Sequence, residues 1–390
     1  MYLSTKEERA LEGEFGEALQ IAYRVLVAVG RLSDAKELIR IKWAHVSGVS
    51  YLTIGEFGLD FLKRISKSPE TNFKIFTTVN PCGMDIESWD KLKVSPEYAE
   101  NQFEIISCYR KLGIADSFTC VPFQSYPIPS RRTHVAWAES SAAIYANSVL
   151  GLYTNRESAV SALAAALTGK TVLSDLHIEE NRKPSKNITI KMKRKLTGPV
   201  DYGVLGYFAG KKVGGVIGFS GGISIKNINE TKALCAAIGT VGSSGMFVVG
   251  RGKNLETFDF GEKEYEETIQ DLSDSETGDA VVFGCPQMTM EELYALSNSV
   301  HGKHFKKKCY VFCSSKVYGS AKSRGYTESI ENSGAVFVKD ACADFTPVIG
   351  SMGVGSVVTD SVKGAHYMKR VHGVRVALKD TKEILASCAA

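Results

Sequence analysis

The chain has 390 residues, of which 44% are hydrophobic and 23% charged, with a formal net charge of +4 and nine cysteines. That length implies two or three lobes with an ordinary globular core, and the near balance of charge argues against a nucleic-acid surface. No run approaches the roughly 18 apolar residues of a membrane span, and MYLSTKEERALEGE lacks the basic start and apolar stretch of a secretion signal. An odd number of scattered cysteines is no disulfide framework, so a reducing cytoplasm is expected.

Ser4 and Glu7 have capping-box spacing, and Leu11, Phe15, Ala18, Ala22 and Val25 follow at helical intervals, which predicts one long first helix. Next come a strand in LIRIKW (38–43), a helix around Phe57–Leu62, a strand in FKIFTTV (73–79) and a helix over Tyr98–Leu112. The run SFT (117–119) reads as a short strand before Cys120. The polar stretch LHIEENRKPSKNITIKMKRK (176–195) carries Pro184 and reads as an excursion or linker, with its basic end solvated. GYFAGKKVGGVIGFSGG (206–222) does not have the spacing of a phosphate-binding loop and reads as tight turns around a short strand. The alternation then resumes: strand DAVVFG, helix from Met290, strand KCYVFC, helix over Lys316–Glu331, strand AVFVKD and a Gly-rich loop. Strands alternating with helices predict an α/β fold with largely parallel sheets. The expected lobes are residues 1–180, 181–275 and 276–390.

The cysteines are not placed at random. Cys120, Cys285 and Cys342 each lie just past a predicted strand, at the edge where ligands bind in open α/β sheets. Cys82 in NPCGMD and Cys313 in YVFCSS fit the same description, so spacing alone leaves five candidates. Cys108, Cys235, Cys309 and Cys388 read as helix, strand or tail cysteines.

The blocks IKWAHVSGVSYLTIGEFGLDFL (41–62), TTVNPCGMD (77–85), TCVPF (119–123) and HVAWAESSAAIYANSVLGLYTNRES (134–158) have a familiar order. They continue with DYGVLGYFAGKKVG (201–214), GCPQMTMEEL (284–293), DACADFTP (340–347) and VVTDSVKGAHY (357–367). Over essentially the whole chain this resembles the large part of aconitase X, a branch of the aconitase superfamily. The resemblance implies an aconitase-like multi-lobed architecture and an iron–sulfur cluster, 4Fe–4S with one open iron, held by Cys120, Cys285 and Cys342. It also implies that the swivelling domain is a separate small subunit, as in two-subunit archaeal members, and that this partner supplies a serine as general base. The implied reaction is dehydration of (R)-5-phosphomevalonate to trans-anhydromevalonate 5-phosphate, a step towards isoprenoids. The alternatives are the same chemistry on another hydroxy acid, such as cis-3-hydroxy-L-proline, or a non-catalytic iron–sulfur subunit.

Dehydration must remove a proton beside the carboxylate and expel hydroxide, which a Lewis acid with an open position assists. Three thiolates leave a cluster such a position, whereas four would close it. The other groups should hold a carboxylate and a phosphate. The turn SGVSY offers Gly48, Val49 and Ser50, with backbone N–H groups and a hydroxyl for oxyanions. Asn80 and Pro81 follow a strand, and Ser140 and Ser141 open a helix after Glu139, where simple capping is the plain alternative for Ser140. Arg156 and Lys363 are the candidate cations, Ser361 adds a hydroxyl, and His134 reads either as a proton carrier or as a core histidine.

Overall fold

The computed structural model describes residues 1–68, 71–250, 252 and 254–389. First in the chain come β1 (Leu38–Arg40), β2 (Trp43–Val46), β3 (Phe76–Val79), β4 (Ala136–Trp137) and β5 (Lys170–Val172). Strands β3-β2-β4 form a parallel sheet, and β1 pairs with β5 antiparallel. Next follow β6 (Lys186–Ile190), β7 (Val216–Ser220), β8 (Met246–Val249) and β9 (Thr257–Phe260), a parallel sheet in the order β8-β7-β6-β9. Last come β10 (Ala280–Phe283), β11 (Lys308–Cys313), β12 (Ala335–Lys339), β13 (Ser356–Thr359) and β14 (Arg375–Leu378). They form a five-stranded parallel sheet, β12-β11-β10-β13-β14. The fold is α/β, as expected, and among the described residues no helix is long and apolar enough to cross a membrane.

Several elements differ from expectation, each for a local reason. The first helix is two, Thr5–Glu12 and Glu17–Leu32, because Gly13 takes a left-handed conformation at φ 98° and ends the first. Its capping box does form, with the Ser4 N–H donating to Glu7 Oε2 at 2.7 Å. LIRIKW is divided between β1 and β2, in different sheets. The expected strand at 117–119 is absent. There Thr119 N–H reaches Val79 O at 3.0 Å, while the Val79 N–H is taken by the Ser117 hydroxyl at 2.9 Å, so a side chain replaces one ladder bond. Residues 316–331 form two helices, Ser315–Lys322 and Tyr326–Asn332, separated at the left-handed Gly325.

The polar stretch 176–195 contains β6, an inner strand of the second sheet. Its polarity misleads because Asn187, wholly buried, satisfies its amide on Gly252 in both directions, at 3.1 Å each. The Gly-rich segment also behaves in two ways. Gly215 and Gly221 turn the chain around β7, as read, but Gly206 and Gly210 lie inside the helix Gly198–Lys212. That helix packs on Ile228–Val241 so closely that a Cβ on Gly206 would stand 2.5 Å from Leu234 O. Gly206→Ala should therefore destabilise the protein by about 1–3 kcal/mol through overpacking. Gly319→Ala, in an open helix position with nothing within 4 Å, should stabilise it by about 0.5–1 kcal/mol. Denaturant titration of the two variants checks the opposite signs.

Candidate active site

Parallel strands point their carboxyl ends one way, and here two sheets bring those ends together. The first sheet delivers the turn after β2, Asn80 after β3 and Glu139 after β4. The five-stranded sheet delivers Cys285 after β10, Cys342 after β12 and Lys363 beyond β13. Its strand order reverses between β10 and β13, the position where open sheets leave a crevice. Between the two sheets lies a cavity of about 460 Å³ lined by Cys120, Cys285 and Cys342. Gly48, Val49, Ser50, Asn80 and Pro81 line it from the first sheet, and of the other expected residues Ser140, Arg156 and Lys363 line it too.

The three thiols come from three separate loops. Burial pushes the Cys120 thiol up to about 12, and it raises Cys285 and Cys342 well above the ordinary thiol value. Cys285 Sγ donates to Asp344 Oδ2 at 2.8 Å, and burial pushes the Asp344 carboxyl up to about 6. The other Asp344 oxygen, Oδ1, is buried without a hydrogen-bond partner among the described residues. The remaining spacing candidates point elsewhere. Cys82 is wholly buried with Sγ on Met84 O and Asp340 O, and its backbone ties the Cys342 loop to the first sheet through Cys342 N–H on Cys82 O at 3.0 Å. Cys313 is buried in the core at the end of β11.

A polar chain crosses the cavity wall. Trp43 Nε1 donates to Thr78 Oγ1 at 2.8 Å, and Thr78 Oγ1 lies 2.7 Å from His45 Nδ1. His45 Nε2 lies 2.8 Å from Asn80 Oδ1, and Asn80 Nδ2 donates to Glu139 Oε2 at 3.0 Å. The carboxylate end fixes the direction of the rest. Asn80 must present its oxygen to His45, so His45 carries its proton on Nε2 and accepts from Thr78 on Nδ1. Burial pushes His45 down to about 4, which keeps it neutral. Glu139 Oε1 accepts from Lys363 Nζ at 2.6 Å and from Ser141 Oγ at 2.9 Å. Burial would raise the Glu139 carboxyl, but the Lys363 ammonium and these donors hold it at about 2. Burial would lower Lys363, but the Glu139 charge and the other acidic groups around it, Asp344 among them, together raise it well above its usual value.

Other expected residues occupy different places. Ser141 is buried behind Glu139, and the cap of its helix is Glu139 rather than Ser140. Ser361 caps the helix Val362–Tyr367, with Gly364 N–H on its Oγ at 2.8 Å and its own hydroxyl on Cys285 O, and it lines an adjoining cavity. Arg156 lines the cysteine cavity while its guanidinium holds Gly239 O at 3.0 Å, Ser244 O at 3.3 Å and Gly242 O, around the end of the helix Ile228–Val241. His134 faces His177, Nδ1 to Nδ1 at 2.9 Å, away from the cavity. His45, Asp344 and Gln287 were not singled out from the sequence. Asp344 and Gln287 each lie two residues beyond a candidate cysteine, a signal that could have found them.

Known proteins share this architecture and this order of residues. The chain matches the aconitase X first domain over residues 1–180, the second over 184–273 and the third over 278–390. It is 35% identical to a protein of Methanocaldococcus jannaschii named phosphomevalonate dehydratase large subunit, over 99% of both chains. A Methanosarcina mazei protein of the same name is 36% identical over 96% of this chain and 94% of its own. A cis-3-hydroxy-L-proline dehydratase of Hypocrea jecorina is 29% identical over 96% of this chain, which spans 66% of that protein. The crystal structure of Thermococcus kodakaraensis aconitase X in its holo-form superposes with a TM-score of 0.91 at 34% identity, over all of both chains. The chain belongs to the aconitase X family.

The buried ion pair sets a stability prediction. Glu139→Gln leaves the Lys363 charge unpaired and should cost about 3–5 kcal/mol, whereas Glu139→Gln with Lys363→Met should cost less than the two single changes added together. Because the folded Glu139 lies below the ordinary carboxylate value, its contribution is complete above that value and is lost only as pH falls towards about 2. Denaturant titrations of wild type, both single variants and the double variant, repeated down the acid range, check both statements.

Proposed function

We propose that this chain is the large subunit of a phosphomevalonate dehydratase, a hydro-lyase converting (R)-5-phosphomevalonate to trans-anhydromevalonate 5-phosphate and water. It would work in the cytoplasm, in a mevalonate route to isoprenoids, with a small subunit that carries the swivelling domain. The observation that carries the reading is the convergence of Cys120, Cys285 and Cys342 on one cavity that also takes in Asn80, Arg156 and Lys363. The shared name of the archaeal relatives, which align along nearly all of the chain, supports the substrate.

The donor set fits an iron–sulfur cluster. Among the described residues no three His, Cys, Asp or Glu side chains are close enough to hold a single metal ion. A cluster distributes its thiolates over different irons and so takes ligands from more widely separated loops. The Gln287 N–H already points at Cys120 Sγ, at 3.2 Å, and hydrogen bonds of that kind tune cluster sulfur. Cys120, Cys285 and Cys342 would hold a 4Fe–4S cluster, and when bound it supplies an open Lewis-acid position for the departing hydroxyl.

The chain's own side chains bind and orient. Lys363 keeps donors beyond the one given to Glu139, and Arg156 has Nε and one Nη2 hydrogen left to grip a substrate oxyanion. Gly48, at φ 78°, turns the chain beside Val49 and Ser50 so that backbone groups approach the substrate. Ser50 Oγ donates to Phe345 O at 2.8 Å, which fixes that turn against the Cys342 loop. The small subunit would supply the serine that removes the proton beside the carboxylate.

Two measurements test this. Anaerobically purified wild type should contain iron and sulfide with a visible chromophore, which Cys120→Ser, Cys285→Ser and Cys342→Ser each abolish and Cys82→Ser leaves intact. A chromophore that survives any of the first three refutes the ligand set. With the small subunit, the chain should dehydrate (R)-5-phosphomevalonate and leave cis-3-hydroxy-L-proline unchanged. The chain alone should be slower by at least about 100-fold, the scale of a lost general base.

A further inference from the structure

Gln287 lies two residues beyond Cys285 and is 1% exposed. Its backbone N–H donates to Cys120 Sγ at 3.2 Å. Its side-chain Nε2 donates to Phe118 O at 3.1 Å and to Ala341 O at 3.3 Å. Phe118 stands two residues before Cys120, and Ala341 immediately before Cys342. One residue therefore joins the three loops that carry the three thiols. Its own loop is clamped in turn, because the buried Lys232 Nζ donates to Gln287 O at 3.1 Å and to Pro286 O at 3.3 Å.

The amide orientation is fixed by chemistry. Two carbonyl oxygens face one end of the side chain, so that end must be the NH₂ group. The other end, Oε1, is buried without a partner among the described residues, an arrangement that costs about 1–3 kcal/mol. An apolar side chain of the same size would avoid that cost but could not tie the two carbonyls. The polar side chain is therefore placed for what its donors hold.

We propose that Gln287 is a positioning residue that sets the mutual geometry of the Cys120, Cys285 and Cys342 thiols, and thereby the retention and electronic character of the group they bind. This deepens the ligand assignment above and rests on it. Removing the side-chain donors frees the Phe118 and Ala341 carbonyls and lets two thiol loops move independently of the third.

Gln287→Met keeps the size without donors, and Gln287→Glu keeps the shape with at most one donor. Under anaerobic conditions Gln287→Met should lose iron to a chelator about 10- to 100-fold faster than wild type, the range for lost outer-sphere partners, with Gln287→Glu in between. The electron paramagnetic resonance spectrum of the reduced protein should change its g-values, which a merely structural residue would not alter. In the metal-free proteins, alkylation of Cys120 and Cys342 by iodoacetamide, read peptide by peptide, should also accelerate in Gln287→Met. Unchanged chelation, spectrum and alkylation would overturn the inference. So would failure of both variants to fold while metal-free wild type folds, because Gln287 would then be a folding residue. If wild type binds no iron, the ligand assignment fails, and the alkylation comparison still decides whether Gln287 holds the three loops together.

Discussion

The Glu139–Lys363 ion pair joins the two halves of the site, across 224 residues of sequence, and the rest of the cavity is arranged around it. Neither charge could be buried alone at tolerable cost. Paired, they fix the end of β4 against the helix that follows β13, so two sheets that share no strand meet at their carboxyl ends. The pair also anchors Asn80 and, through it, a neutral His45 whose proton position is dictated from the carboxylate outward.

The middle sheet supports this wall from behind. The helices Gly198–Lys212 and Ile228–Val241 approach at glycine distance, and the second of them ends on the Arg156 guanidinium. Gly239 in that helix lies so near Ser140 that an added Cβ would stand 2.8 Å from its hydroxyl. The glycine-rich segment, read from the sequence as tight turns around a short strand, thus also serves close helix packing, and that packing fixes a cation at the cavity edge.

Much of this was legible in the sequence, and the failures have physical causes. Apolar strands such as DAVVFG and KCYVFC announced themselves, since both faces of an inner parallel strand are buried. β6 did not, because its buried Asn187 looks like a loop residue until Gly252 is beside it. Periodicity carried the first helix straight through Gly13, where a positive φ stops it. Strand-end position nominated five cysteines and could not separate Cys82 and Cys313 from the three that line the cavity, since that depends on which way each side chain leaves the backbone. His45 gave no signal, because its meaning lies in partners at position 78 on a neighbouring strand and at position 80 just past its end.

In the proposed site, three protein thiols would leave one iron free for the substrate hydroxyl. Mössbauer spectroscopy of the ⁵⁷Fe-reconstituted chain with the proposed small subunit, with and without (R)-5-phosphomevalonate, addresses it directly. The expected result is that one iron subsite changes its isomer shift and quadrupole splitting on substrate addition while the others keep theirs. A spectrum that stays the same in every subsite at saturating substrate would contradict an open iron that binds the substrate.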